Sequence, residues 1–448
     1  WGGRWIYLGT NYLRMRYLEK CLRGERISLS MLIKEETENQ RPKILDWNRR
    51  MREANNDSLH WWMTHLAGRN NVGTNFFIYL IQIAALRRWV IENREKLNEE
   101  ILIVCEDVFL LNAIYENIKV LVPTKKQFGW QVFLVAEKLN YFARAVNRLI
   151  RQVIRFGCHF YMARITRPDK LQPPKGEAYL IHQCLDDVSF QKEGKLACRY
   201  FTILPEWLEN HGKQVYRLPW LFNVNIPLKE VYARLRSSNC LIPEDWLTLR
   251  DYIWSFYQGI KTIFTIRDDL PFDGMNIRSL LQRERCIQWN GGLSTSLFWR
   301  YWRMLCRWTA SLEEIIFIEH YENMPPEHVQ AFWAHTHGIK KFKVIGYYHS
   351  IVSREFIAYH LPPGEEKSKI FPDLIITNGS LGKKILVEQG YPEDKIREGP
   401  ALRQLFPQSK TNEERKNTLL ILLSMLPEHA AEHLDKILKL HEWLQQEK

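Results

Sequence analysis

The sequence lacks the patterns that mark several common classes of protein. It has no apolar run of about 18 residues, which argues against a membrane-spanning helix, and its mean hydropathy is −0.35. Its eight cysteines are scattered without a CxxC or Cys/His metal spacing, so we expect reduced intracellular thiols and no bound metal. The phosphate-binding pattern GxxxxGK[ST] and the dinucleotide fingerprint GxGxxG are also missing.

Positive charge is what the chain has in excess. Its 448 residues carry a formal net charge of +12, and the isoelectric point is about 9.2. Such a balance suits nucleic acid, phosphate-bearing substrates or an anionic membrane face, and charge alone does not choose among them. Because no RRM, KH or helix-turn-helix pattern occurs, we rank nucleic acid low and expect no nucleic-acid partner.

Strand and helix patterns alternate along much of the chain. GRWIYLGT predicts a first strand, ILIVCEDVFLLNAIY (101–115) a strand leading into a helix, and AYLIHQCLDD (178–187) a further strand with a polar end. After residue 312, the strand patterns IIFIEH, FKVIGYYHS and DLIITNG alternate with helical stretches. Alternation of this kind is typical of βαβ units, so we predict an α/β fold with a parallel sheet covered by helices.

The length of the chain predicts two or more domains. We assign residues 1–225 to an N-terminal α/β region that includes a basic helix and a Pro-rich linker, and residues 226–312 to a mainly helical segment. Residues 313–408 form a βαβ region, and residues 409–448 begin a C-terminal nucleotide-binding domain with the strand TLLILLS. Since the first residue is not Met and the last domain stops early, we expect a fragment.

A basic helix is predicted between residues 142 and 167. Arg144, Arg148, Arg151 and Arg155 recur at helical spacing and share one face, while apolar residues between 146 and 154 lie mostly opposite. Such a helix can lie on an anionic membrane surface. The alternative is an ordinary surface helix with a solvated basic face.

Three successive strands of the predicted sheet end in polar residues. These residues are Glu319, His320, Glu322 and Asn323 for the first strand, His349 and Ser350 for the second, and Thr377, Asn378 and Gly379 for the third. In an open parallel sheet the carboxyl ends face one edge, where ligands bind. The clustering therefore indicates a site more strongly than any one of these residues does.

The turn Asn378-Gly379-Ser380 precedes a helical pattern. We predict Ser380 as the N-cap, and Gly379 as a position that allows close approach of the backbone. The N–H groups at such a helix start can bind a phosphate or a sugar hydroxyl, and the alternative is a well-capped turn without a ligand, which is common.

Asp268, Asp269 and Asp273 cluster in the stretch DDLPFDG. Carboxylates at this spacing can hold a metal or supply a general base, and a solvated Asp-rich turn is the alternative. No DxD flanked by apolar strand residues occurs, so we do not infer a metal-dependent sugar-nucleotide site. Asp269 and Asp273 remain candidates for contact with a substrate.

The stretch FIEHYENMPPEHVQAFWAHTHGIKKFKVIGYYHS (317–350) resembles the bacterial surface carbohydrate (O-antigen) biosynthesis proteins. The resemblance rests on Glu322-Asn323 followed by Pro and Glu327, and on a strand that ends with Gly346, His349 and Ser350. SLHWWMTHLAGRNN and CRYFTILPEWLENHG agree with it. PDLIITNGSLGKKIL and REGPALR are similar to the domain junction of GT-B-like glycosyltransferases. The family pattern continues into a full C-terminal nucleotide-binding domain, so donor-site residues are not assigned.

The resemblance implies GT-B-like, Rossmann-type parallel-sheet domains with a helical insertion and a truncated C-terminal domain. It implies transfer of a sugar from a nucleotide sugar to a lipid-linked precursor of lipopolysaccharide O-antigen or capsule, at the cytoplasmic face of the membrane. No cofactor besides the nucleotide-sugar donor is implied. His349 or Glu322 would act as the base, and Arg403 would meet the phosphate. The other substrate contacts would come from Asn323, Ser350, Asn378, Gly379, Ser380, Asp269 and Asp273.

Two alternatives stay open at the level of sequence. One is transfer of another activated group, such as glycerol phosphate or a CMP-linked acidic sugar. The other is a non-catalytic protein of the same pathway that binds or assembles glycans and retains the fold.

Overall fold

The structure is a computed structural model, and it describes residues 2–70, 73–96, 100–125, 129–167, 175–190, 196, 198–222, 224–267, 269–337, 341–350, 356–403, 422–423, 427–440 and 445. The strands of this part of the chain are β1 (Arg4–Leu8), β2 (Arg26–Ile27), β3 (Ile101–Cys105), β4 (Gly176–Leu185), β5 (Val215–Leu221), β6 (Leu312–His320), β7 (Lys341–Tyr348), β8 (Leu374–Asn378) and β9 (Ile396–Gly399). The α-helices are α1 (Tyr12–Cys21), α2 (Ser30–Ala54), α3 (Leu59–Trp62), α4 (His65–Gly68), α5 (Phe76–Glu92), α6 (Val108–Ile118), α7 (Trp130–Ile165), α8 (Leu204–Asn210), α9 (Leu228–Ser237), α10 (Leu249–Thr265), α11 (Arg278–Trp308), α12 (Pro325–Thr336), α13 (Gly379–Glu388) and α14 (Pro427–Lys439).

The strands form two parallel sheets. One has three strands in the order β2-β1-β3, and the other has six in the order β5-β4-β6-β7-β8-β9. Every pair of neighbouring strands is parallel. The predicted α/β class with parallel sheets is therefore confirmed, and the architecture is Rossmann-like. The strands of residues 1–225 are divided between the two sheets, because β4 and β5 join the larger one.

Helices cover both faces of the six-stranded sheet. On β6, Ile315 and Phe317 pack with Met304 of α11, whereas Ile318 belongs to a second apolar layer that includes Val231 of α9. Alternate residues of a strand point to opposite faces, so a strand buried on both sides must be apolar almost throughout. This requirement explains why IIFI in β6 reads as an unbroken hydrophobic run.

A second core surrounds the three-stranded sheet. It contains Trp47 of α2 and Phe76 of α5, whose rings stack with centroids 5.3 Å apart. Ile370, which precedes β8 in the larger sheet, packs in the same core. A buried ion pair between Arg69 and Glu365 also joins these two regions, with Nη2 2.8 Å from Oε1. The smaller sheet is thus packed against the segment that connects β7 to β8.

The structure locates several other predicted segments. The strands GRWIYLGT and ILIVC are confirmed as β1 and β3, and the basic helix is longer than predicted, since α7 begins at Trp130. No helix in the described part of the chain is long and apolar enough to cross a membrane. Only residues 422–423 of the strand predicted at TLLILLS (418–424) are described, and residues 168–174 of the Pro-rich linker lie outside the described residues.

Candidate functional site

The candidate site lies at the carboxyl edge of the six-stranded sheet. β6, β7 and β8 are consecutive neighbours in this sheet, so the three polar strand ends picked out in the sequence lie side by side. β4 borders β6 on the other side. Four adjacent strand ends therefore contribute side chains to one edge, which is where open α/β sheets bind ligands.

Glu322, His349 and Ser350 form a chain of hydrogen bonds at this edge. Nε2 of His349 donates to Oε1 of Glu322 at 2.8 Å, and Oγ of Ser350 lies 2.7 Å from Nδ1 of the same ring. The His349 side chain is only 3% exposed, whereas that of Glu322 is 33% exposed. The carboxylate is consequently the member of the pair that a dissolved ligand can reach, and the imidazole lies behind it.

The turn that carries Glu322 is held by Glu327 in the first turn of α12. The backbone N–H of Glu322 donates to both carboxylate oxygens of Glu327, at 3.1 and 3.0 Å, and the N–H of Met324 donates to Oε2 at 3.2 Å. Burial raises the pKa of Glu327 well above its usual range, and the nearby charge of Glu322 acts in the same direction. The capping box at the start of α12 thus fixes the position of the turn that carries the Glu322 carboxylate.

Asn323 takes a structural role in this turn. Its φ is 58°, and the residue is 2% exposed. Nδ2 donates to the carbonyls of Gly68 at 3.1 Å and Ala358 at 2.6 Å, while Oδ1 lies 2.8 Å from Nε2 of His328. Because its side chain is buried and engaged with other parts of the protein, Asn323 is not presented to a ligand in this structure.

Aromatic rings pack beside the Glu322–His349 pair. The ring of Tyr200 lies 4.4 Å from the rings of both His320 and His349, and the guanidinium of Arg403 lies 5.2 Å from its centroid. Burial raises the pKa of Tyr200 and lowers that of His320 well below its usual range. Both side chains are therefore neutral at neutral pH, and Arg403 supplies positive charge at this side of the site.

Two buried histidines carry ring nitrogens without a hydrogen-bond partner among the described residues. These atoms are Nδ1 and Nε2 of His182 and Nε2 of His320. Burial lowers the pKa of His182 to about 4, so its imidazole is neutral and has one donor and one acceptor. Buried polar groups are normally paired. The two rings, 5.8 Å apart, are thus available to a water molecule or a polar ligand group.

Sequence reasoning missed the contribution of β4 to this edge. Its carboxyl end brings Cys184 and Asp186, and Asp186 forms an ion pair with Arg199 at 2.9 Å. Burial raises the pKa of Cys184 to about 12, so the group is a neutral thiol. The polar end of AYLIHQCLDD was a visible signal, but sequence order did not show that β4 lies next to β6. No pattern in the sequence marked Tyr200 as a residue of the site.

The third strand end differs from its prediction. Helix α13 begins at Gly379, and its N-cap is Asn378, whose side chain makes no capping hydrogen bond. The prediction of Ser380 as N-cap is therefore wrong, because Ser380 lies within the first turn and is exposed. The φ of Gly379 is 78°, and a Cβ added there would meet nothing within 4 Å, so close packing does not require a glycine at this position. A left-handed turn is what this glycine provides.

The Asp-rich turn is not brought into contact with the Glu322–His349 pair. Asp273 pairs with Lys43 of α2 at 2.6 Å, and Asp269 is exposed in the same turn. Asp268 lies outside the described residues. Among the described residues, no group of three or more His, Cys, Asp or Glu side chains is placed to hold a metal ion.

The chain was compared with protein families, curated proteins and solved structures. None of the three comparisons found a match.

Proposed function

We propose that this protein is a GT-B-like glycosyltransferase. It would transfer a sugar from a nucleotide sugar to a lipid-linked precursor of a bacterial surface glycan, at the cytoplasmic face of the membrane. The observation that carries the proposal is the hydrogen bond between Glu322 and His349 at the carboxyl edge of the larger sheet. The resemblance of residues 317–350 to surface carbohydrate biosynthesis proteins, described above, supplies the reaction class.

The chemistry assigns separate roles to the two residues. Sugar transfer requires a base that takes the proton of the acceptor hydroxyl. Glu322 suits this role, because its carboxylate is one third exposed while His349 is buried behind it. His349 donates Nε2–H to the carboxylate and so orients it. With Nε2 protonated, Nδ1 accepts from the Ser350 hydroxyl, which fixes the tautomer of the ring.

The leaving nucleotide requires positive charge and hydrogen-bond donors. Arg403 over Tyr200 supplies the charge. The first turn of α13, which starts at Gly379 at the end of β8, supplies free backbone N–H groups. Both features border the strand ends that carry the Glu322–His349 pair, and together they support binding of a phosphate-bearing donor.

The proposal is tested by titrating the full chain with UDP-, GDP-, CDP- and CMP-sugars in a calorimeter, followed by transfer assays with a lipid-linked acceptor. We expect binding of one nucleotide class, and turnover that falls in Glu322→Gln and His349→Ala. Glu313→Gln is the matched control, since Glu313 is an exposed residue near the opposite end of β6.

Other results would lead to different conclusions. Full turnover in both site variants would remove Glu322 and His349 from the mechanism. Glycan binding without any turnover would favour the non-catalytic alternative. Selective binding of CDP- or CMP-linked compounds, with transfer of glycerol phosphate or an acidic sugar, would show that a different class of donor binds at the same site.

A further inference from the structure

Helix α10 is inverted relative to an ordinary surface helix. Its buried face is largely polar, because it carries Asp251, Ser255 and Thr262, each no more than 3% exposed, beside Tyr252 at 6%. Its outer face carries an apolar stripe, whose members are between 47% and 71% exposed: Leu249, Ile253, Tyr257, Ile260 and Phe264. Surface helices of soluble proteins normally place their apolar side inward. The stripe is therefore a feature that folding of the described chain alone does not explain.

Helix α7 carries a second exposed apolar stripe. Its members are between 42% and 64% exposed: Val135, Leu139, Phe142, Val146, Ile150 and Val153. Successive members are three or four residues apart, so they lie along one side of the helix. A surface helix that packs its apolar side inward would bury the residues between 146 and 154, which the sequence placed opposite the arginines. In α7 these residues are exposed instead.

The two stripes form one surface. Phe160 of α7 contacts Tyr252 of α10 with ring centroids 5.6 Å apart, and Phe156 contacts Phe256 at 5.7 Å, so the helices are antiparallel neighbours. In both helices, the stripe is reached from these contact residues by turning in the same direction around the helix axis. Because the helices run in opposite directions, both stripes face the same side of the pair. We call this surface the α7–α10 face.

Basic residues border the α7–α10 face. Arg250 and Lys261 are exposed beside the stripe of α10. The arginine row of α7, residues 144, 148, 151 and 155, is exposed on the opposite side of that helix from its apolar stripe, so it does not border the face. Among the described residues no carboxylate forms an ion pair with any of these six side chains. A large exposed apolar patch marks an interaction site, and here its surroundings carry unneutralised positive charge.

We propose that the α7–α10 face docks the protein on an anionic phospholipid membrane. The apolar stripes would enter the boundary between headgroups and acyl chains, and Arg250 and Lys261 would contact the headgroups. Charge favours this occupant over a second copy of the chain, because two copies joined through this face would bring like charges together. The proposal does not depend on the reaction that the protein catalyses.

The test is sedimentation of the full chain with vesicles of neutral phosphatidylcholine, and with vesicles that also contain phosphatidylglycerol. We expect binding to the anionic vesicles that weakens as salt rises. The double variant Ile253→Glu/Phe264→Glu should lose at least about tenfold in affinity, since two apolar side chains no longer enter the lipid. Arg250→Gln/Lys261→Gln should lose roughly fivefold per residue, on anionic vesicles only.

Met31→Glu is the matched control. Met31 lies on α2 and is 70% exposed, which is close to the 71% of Phe264, so its substitution removes a similar apolar group from a different surface. Circular dichroism of each variant checks the fold, which substitution at exposed positions should preserve. Equal binding by the Ile253→Glu/Phe264→Glu variant and the unmodified chain would overturn the proposal. The proposal would also be overturned if the unmodified chain does not bind vesicles but forms a concentration-dependent dimer, and the Ile253→Glu/Phe264→Glu variant does not form this dimer.

Discussion

Nε2 of His349 lies 2.8 Å from Oε1 of Glu322, although 27 residues separate the two in the chain. Each residue follows one of two adjacent parallel strands, β6 and β7. Parallel strands that share a register end at the same edge, so two distant polar residues meet without a dedicated loop. The difference in exposure between them, 33% for Glu322 and 3% for His349, then decides which of the two faces a ligand.

The first prediction concerns the division of roles between these two residues. Glu322→Gln should lower kcat by roughly 10²- to 10⁴-fold, with little change in KM, because it removes the proposed base and keeps the shape of the side chain. His349→Gln should lower kcat less than His349→Ala does, because glutamine retains a donor that can orient the carboxylate. Steady-state kinetics of the three variants provides the measurement.

A larger loss in His349→Gln than in Glu322→Gln would reverse the assignment and make His349 the base. Equal kcat in His349→Gln and His349→Ala would show that the donor to Glu322 does not matter for turnover.

The second prediction concerns Asn323, which the sequence offered as a substrate contact. Asn323→Ala should lower the free energy of unfolding by about 3 kcal/mol, because two buried carbonyls lose a donor and alanine is strained at a φ of 58°. Asn323→Gly should recover about 1 kcal/mol of this loss, since glycine adopts positive φ freely. Urea unfolding compares the variants. A rise in KM with unchanged stability would instead support contact with the substrate.

The third prediction concerns the buried ion pair between Arg69 and Glu365. Two parallel hydrogen bonds of 2.9 and 2.8 Å join the guanidinium to the carboxylate, and both side chains are almost completely buried. Arg69→Met should destabilise the protein by about 3–5 kcal/mol, because it leaves an uncompensated buried charge. Replacing both residues by methionine should cost less than Arg69→Met alone. Thermal or urea unfolding of the set measures the effect.

Arg49→Met is the control for this experiment. Arg49 pairs with Asp46 and Glu53 on an exposed face of α2, where solvent screens the charges, so its loss should cost less than about 1 kcal/mol. A loss in Arg69→Met as small as in the control would show that the buried pair does not stabilise the connection between the two sheets.

The fourth prediction concerns the pH dependence of stability. Burial raises the pKa of Glu284 to about 7, although the neighbouring Arg283 acts in the opposite direction. A carboxyl whose pKa is higher in the folded than in the unfolded state stabilises the protein below its unfolded pKa, about 4.5, and this stabilisation is lost as pH rises through 7. Relative to the unmodified chain, Glu284→Gln should therefore gain up to about 3 kcal/mol between pH 4.5 and 8.

Urea unfolding at a series of pH values compares the two proteins, and groups that titrate in both cancel in the difference. A difference that stays constant with pH would show that Glu284 has an ordinary pKa in the folded state.

The sequence by itself determined the α/β class and the position of several elements. A strand buried on both faces must be apolar, so the run IIFI predicted β6, and the residues EHYEN predicted its polar end. The parallel arrangement followed because a helix between two strands is the usual crossover that connects parallel neighbours. The clustering of Glu322 with His349 followed in turn, since consecutive strands of such sheets are often neighbours.

Tertiary structure alone decided the remaining features. Strand order placed β4 beside β6, and packing brought Tyr200 against His349, neither of which local periodicity encodes. Asn323 changed from a candidate ligand contact to a buried structural residue because its partners, Gly68 and Ala358, are distant in sequence. The exposure of the apolar stripe of α10 depended on α11, which packs against the other side of that helix. Local patterns specify elements through their own periodicity, whereas burial and neighbours depend on how the elements meet.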